Sequence, residues 1–127
     1  MIKLEGLDHV ALAVQDLERS AKWYIEVLGF EHRHKELWGG VPVWLALEQT
    51  ALALFPKQNG IPEQHDRPTS GMLHLALRAT RNNFLAAQNE LKKRGIEFHF
   101  QDHEISESIY FKDPDGIRLE ITTYEIG

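Results

Sequence analysis

Leu7-Asp8-His9-Val10-Ala11-Leu12-Ala13-Val14 and Met72-Leu73-His74-Leu75-Ala76-Leu77-Arg78-Ala79 carry one pattern twice: a histidine in third place, then apolar and small residues on alternate positions. Period-two alternation reads as a strand in each case, and a pattern that recurs within one chain reads as an internal repeat. The continuations agree. Asp16 caps a helical stretch whose stripe is Leu17, Ala21, Tyr24 and Leu28, with Gly29 as its stop. Thr80 caps a second, with Phe84, Ala87 and Leu91 as the stripe and Gly95 supplying the left-handed turn. Three strand-like stretches follow each helix, centred on 31–35, 41–47 and 51–55 in the first copy and on 97–101, 106–111 and 117–123 in the second. The expectation is one domain of class α+β over residues 1–127. It holds two tandem βαβββ modules, 4–56 and 71–125, whose strands form curved eight-stranded mixed sheets with the helices outside. The aperiodic stretch 57–70, rich in Pro and Gly, reads as a linker or a rim loop.

Strand side chains alternate between faces, so the aliphatic set marks the side a helix covers. Val10, Leu12 and Val14 share one face, as do Leu73, Leu75 and Leu77, and Ile117, Leu119 and Ile121. The opposite faces carry His9, His74 and Glu120 with small or polar neighbours, and are expected to line a common concavity. Ser108 and Tyr110 join that side, and Asp113-Pro114-Asp115-Gly116 makes the turn that sets Tyr110 beside Glu120.

The totals narrow the function. In 127 residues, 43% hydrophobic and 26% charged, the composition is that of an ordinary globular domain. There is no cysteine, so a metal would be held by His, Asp or Glu rather than by thiolates. A net charge of -5 gives no footprint for nucleic acid. Lys92-Lys93-Arg94 falls at a helix end, where cations complement the dipole. No apolar run approaches the ~20 residues of a membrane span, and Lys3, Glu5 and Asp8 interrupt any signal-like start. The expectation from these readings is a cytoplasmic protein without a nucleic-acid or membrane partner.

A single strand histidine is more often a hydrogen-bonded structural residue than a ligand, and a lone glutamate more often a surface charge. Two histidines at equivalent repeat positions, with a carboxylate inside an apolar strand, instead match the 2-His-1-carboxylate set that leaves open positions on a metal. His9, His74 and Glu120 are therefore the candidate metal ligands. The ion is divalent, and Fe, Mn, Ni, Co and Zn all suit these donors.

With LDHVALAV, DLERSAKWYIEVLGFE, MLHLALRA and SIYFKDPDGIRLEI in place, the chain resembles the vicinal-oxygen-chelate superfamily over nearly its whole length. That superfamily includes glyoxalase I, methylmalonyl-CoA epimerase, extradiol dioxygenases, fosfomycin-resistance transferases and bleomycin-resistance proteins. The resemblance implies the glyoxalase/bleomycin resistance/dioxygenase fold. It also implies ligands from the first and last strands of each copy, at His9, Ala53, His74 and Glu120. Ala53 stands where glyoxalase I carries a carboxylate, which argues against a glyoxalase reaction. One carboxylate on a divalent cation leaves a charge of about +1, suited to chelating an anionic pair of vicinal oxygens.

The resemblance to extradiol dioxygenases extends to His103 and Tyr110. His103 is then expected to shuttle protons or hydrogen-bond substrate, and Tyr110 to hydrogen-bond a substrate oxygen. Tyr110 supporting Glu120 as an outer partner is the plainer reading. A thiol transferase of the fosfomycin-resistance type shares the three ligands, but Ala11 stands where those enzymes have threonine. A lyase or isomerase with Glu48 or Glu107 as base is a further reading. So is a non-catalytic ligand-binding protein of the bleomycin-resistance type with Tyr24, Trp38, Trp44 and Phe55 as walls. The substrate is expected to be a small oxygenated molecule and the assembly a homodimer, with modules paired within a chain or across the two-fold. His32, His34, His65 and His99 have no partner readable from sequence.

Overall fold

The structure, a computed structural model, describes residues 1–57 and 71–126. The chain divides into two compact units, Met1–Ile61 and Pro62–Gly127. Unit one holds β1 (Val10–Val14), α1 (Leu17–Leu28), β2 (Glu31–Arg33), a 3-10 turn (Trp38–Gly40), β3 (Val43–Leu47) and β4 (Thr50–Pro56). Unit two holds β5 (Leu75–Arg78), α2 (Arg81–Lys93), β6 (His99–Asp102), β7 (Glu107–Lys112) and β8 (Arg118–Thr123). The βαβββ order expected from the repeat is thus present in both. Each unit builds its own four-stranded mixed sheet, in the orders β1-β4-β3-β2 and β5-β8-β7-β6. In each, the first and last strands pair in parallel and the remaining neighbours antiparallel.

Local chemistry sets the helix ends. Asp16 accepts from the Arg19 amide at 3.0 Å, and Gly29 closes α1 at φ 77, a left-handed conformation that a side chain would strain. Thr80 accepts from the Asn83 amide at 3.2 Å. Lys92 and Lys93 lie in the last turn of α2, and Arg94 pairs with Glu90 at 2.8 Å, so the basic run serves the helix end.

Each unit has its own core. Tyr24, Leu45, Leu52, Leu54 and Val14 are buried in the first; Phe84, Leu91, Ile109 and Leu119 fill the second. Each such apolar side chain contributes about 1.5–3 kcal/mol relative to exposure. Tyr24 packs edge-on against Phe30, centroids 5.9 Å apart, so it belongs to the core and is not a ligand wall.

Two expectations about the histidine strands are corrected. β1 and β5 begin at Val10 and Leu75, so His9 and His74 each occupy the position just before a strand. Leu73 does not share the helix-covered face and is 84% exposed, as Leu7 is at 86%. The reason is register: Val10 pairs with Leu52 and Leu75 with Leu119, so Leu7 and Leu73 fall opposite the turns that precede β4 and β8. Alternation in sequence continues past the point where the partner strand has ended. His65 and the linker from 58 onward lie outside the described residues.

Candidate metal centre

On the sheet of unit two, register brings the chemistry together. Glu120 pairs with Ala76 of β5 on one side and Tyr110 of β7 on the other, and Ser108 pairs with Thr122. Glu120 is 8% exposed, in a setting where an uncompensated carboxylate would be costly. It is compensated: His74 Nε2 lies 2.7 Å from Oε1, and the Ser108 hydroxyl donates to Oε2 at 2.7 Å. Ser108 Oγ also lies 3.0 Å from Thr122 Oγ1, and Thr122 donates to the Glu107 carbonyl at 3.3 Å. The carboxylate therefore has one oxygen fixed from behind and the other facing an imidazole nitrogen.

Tyr110 is the next layer. Its ring meets His74 edge-on at 5.6 Å, and its hydroxyl lies 2.9 Å from His103 Nε2. Burial pushes the phenol above its usual range; the charge of Glu120 and a hydrogen bond to it push the same way, while Arg118 and Ser108 oppose. Tyr110 is accordingly a neutral hydrogen-bond donor at ordinary pH. The Arg118 guanidinium sits 4.7 Å from its ring centre.

Unit one carries the same register with different chemistry. Ala53 pairs with Ala11 and with Trp44, so Ala53 is the counterpart of Glu120 and Trp44 of Tyr110. Ala53 is 1% exposed and brings no donor atom. His9 bonds through Nδ1 to Asp8 at 2.8 Å and stacks obliquely on Trp44 at 4.9 Å. His34 and Trp38, both at positive φ, extend this cluster, with Trp38 5.9 Å and His34 6.3 Å from Trp44. With Nδ1–H donated to Asp8, the lone pair of the opposite ring nitrogen, Nε2, is the one available to a ligand.

The donor set fits a metal in part. Imidazole and carboxylate are suitable ligands, Glu120 is held from behind, and His9 has the carboxylate partner typical of ligating histidines. Among the described residues no three His, Asp or Glu side chains gather into one cluster; the structure pairs His74 with Glu120 in unit two, and His9 belongs to unit one. His103 Nε2 lies 2.9 Å from the Tyr110 hydroxyl, a contact that the sequence did not reveal. Glu107 is not free to act as a base, because its carboxylate is ion-paired with Arg81. Glu48 sits at φ 55 in the β3–β4 turn. Ser108 was legible as a residue on the Tyr110 face, yet nothing in its spacing announced a bond to Glu120. His34 has an aromatic partner that the sequence did not reveal.

Residues 6–121 match the family model of the Glyoxalase/Bleomycin resistance protein/Dioxygenase superfamily. The chain belongs to that superfamily. It is 33% identical over 122 residues to a catechol-2,3-dioxygenase of Bacillus subtilis, matching over 91% of this chain and 40% of that protein. The chain thus spans two fifths of that relative's length. It is 27% identical to the glutathione transferase FosA of Serratia marcescens, over 93% of this chain and 80% of the relative. A lactoylglutathione lyase from Agrobacterium tumefaciens shares the fold with a TM-score of 0.75 at 22% identity, covering 94% of both chains.

Proposed function

We propose that this protein is a divalent-metal-dependent enzyme that chelates the vicinal oxygens of a small substrate, with His74, Glu120 and His9 as ligands and extradiol-type dioxygenation as its reaction. The observation that carries the reading is Glu120: a buried carboxylate with one oxygen held by Ser108 and the other 2.7 Å from His74 Nε2. An apolar core residue would be cheaper at that position unless the carboxylate had a partner to serve. When bound, the metal offers open positions to two substrate oxygens and to dioxygen.

The protein's own groups then do the following. Ser108 fixes the direction of the Glu120 carboxylate. Tyr110 presents a neutral phenol to hydrogen-bond a substrate oxygen. His103, 2.9 Å from that phenol, orients it and holds or passes a proton at Nε2. Trp44 and Trp38 supply an apolar wall beside His9, which suits an aromatic ring. The 33% likeness to a catechol-2,3-dioxygenase supports this reaction.

The likeness to FosA supports a second reading, thiol transfer to an oxygenated small molecule on the same ligands. Ala11 weakens it, since fosfomycin-resistance enzymes resemble one another in carrying threonine there. We further propose a homodimer located in the cytoplasm; among the described residues no helix is long and apolar enough to cross a membrane.

The test is anaerobic reconstitution with Fe(II), then oxygen uptake and ring-fission absorbance across a set of catechols. Mn(II), Ni(II) and Zn(II) forms are assayed in parallel with fosfomycin plus glutathione and with hemithioacetals. Iron-dependent uptake establishes the dioxygenase; a saturated iron site that consumes no oxygen removes it.

A further inference from the structure

A cleft of about 600 Å³ opens on the sheet of unit two, lined by Tyr110, Lys112, Arg118, His99 and Glu97 among others. It shares Tyr110 with the candidate metal centre. Two fixed cations line it against one carboxylate, with the His99 imidazole beside them. The volume is that of a small-molecule site.

The cations are placed where a sheet alone gives them no reason to be. Lys112 and Arg118 are direct cross-strand partners in the antiparallel β7–β8 ladder. Like charges at such positions repel and lower stability. Among the described residues neither is ion-paired with a carboxylate; Arg118 lies instead over the Tyr110 ring at 4.7 Å. The repeat supplies the comparison: the same register pair in unit one is Ala46 opposite Ala51, both buried and apolar. The fold therefore does not require charge there, and only the copy that carries Glu120 has it.

We infer that Lys112 and Arg118, with His99, form an anion subsite that holds a carboxylate on the substrate, so that the substrate class is a carboxylate-bearing vicinal-oxygen compound. The assignment of that carboxylate to the substrate rests on the metal-centre reading; the anion site itself does not. Arg118 offers a planar fork matched to a carboxylate, and Lys112 a second point charge. Bound carboxylate relieves the repulsion between the two cations, and Tyr110, which lines the same cleft, meets the His74 ring edge-on at 5.6 Å.

The test uses the full chain, metal-free and 15N-labelled, titrated with benzoate and separately with benzyl alcohol at constant ionic strength. Benzoate is expected to shift the amides of 97–99, 110–112 and 118 saturably, with half-saturation at about 1–10 mM, a fragment-like affinity. Benzyl alcohol is expected to leave them in place. The double variant Lys112→Gln/Arg118→Gln, altered only at exposed positions, should keep the remaining spectrum and bind benzoate at least about tenfold more weakly. Equal response to the alcohol, no response to benzoate, or an unchanged double variant overturns the subsite. Ni(II) titration of the wild type judges the metal centre separately: benzoate binding without stoichiometric nickel keeps the anion site and removes the metal reading.

Discussion

His74 and Glu120 face each other across the parallel β5–β8 edge, imidazole Nε2 2.7 Å from carboxylate Oε1, on a carboxylate that is almost fully buried. Removing Glu120 takes this contact from His74, and removing His74 takes it from Glu120, whose other oxygen keeps the Ser108 bond. Glu120→Gln keeps the shape and the Ser108 contact but loses the charge that a divalent ion needs. We expect Glu120→Gln, His74→Ala and His9→Ala each to abolish stoichiometric metal binding, measured by calorimetric titration with Ni(II). Tight binding retained in two of the three would falsify the ligand set.

Ser108 tests the support of that carboxylate. It is buried and donates to Glu120 Oε2 at 2.7 Å. Ser108→Ala is expected to weaken metal affinity by about 10–100-fold. The same change should destabilise the metal-free fold by about 1–3 kcal/mol, because a buried acceptor loses its donor. Denaturant titration and competition against a chromophoric chelator read the two effects. Unchanged affinity with lowered stability would make Ser108 purely structural.

His32 provides a pH signature in unit one. Burial, and then the charge of Lys35, hold its imidazole below its usual value of 6.5. The unfolded chain therefore takes up a proton at His32 more readily than the folded one. Stability is at its full value above the unfolded pKa and falls as pH drops below it. The Tm of His32→Gln should decline less between pH 7 and pH 5 than that of the wild type. Parallel curves for the two proteins would show that His32 is not held neutral.

Gly29 separates backbone strain from crowding. It ends α1 at φ 77, and an added Cβ there would meet nothing within 4 Å. Gly29→Ala is thus expected to cost about 1 kcal/mol through the left-handed backbone alone. Phe84→Ala, in the core of unit two, should cost about 3–5 kcal/mol through the cavity it leaves. Urea unfolding measures both, and a Gly29→Ala loss as large as that of Phe84→Ala would contradict the strain account.

The amino-acid sequence alone carried the repeat, the order of elements, the helix caps and the side-by-side placement of Tyr110 and Glu120. These follow from short-range rules: the period of apolar residues, the side-chain oxygens of Asp16 and Thr80, and the freedom of Gly29. The family resemblance, not the residue pattern, singled out Ala53, and register makes it the counterpart of Glu120. The exposure of Leu7 and Leu73 was decided by register, which sets them opposite the turns that precede β4 and β8. The Ser108 bond to Glu120, the Arg81 pair that occupies Glu107, the His34 cluster and the facing cations Lys112 and Arg118 were decided the same way. Each depends on which residues register brings together across a sheet or from a distant segment. Pairing register is a property of two strands at once, so no single strand's pattern contains it.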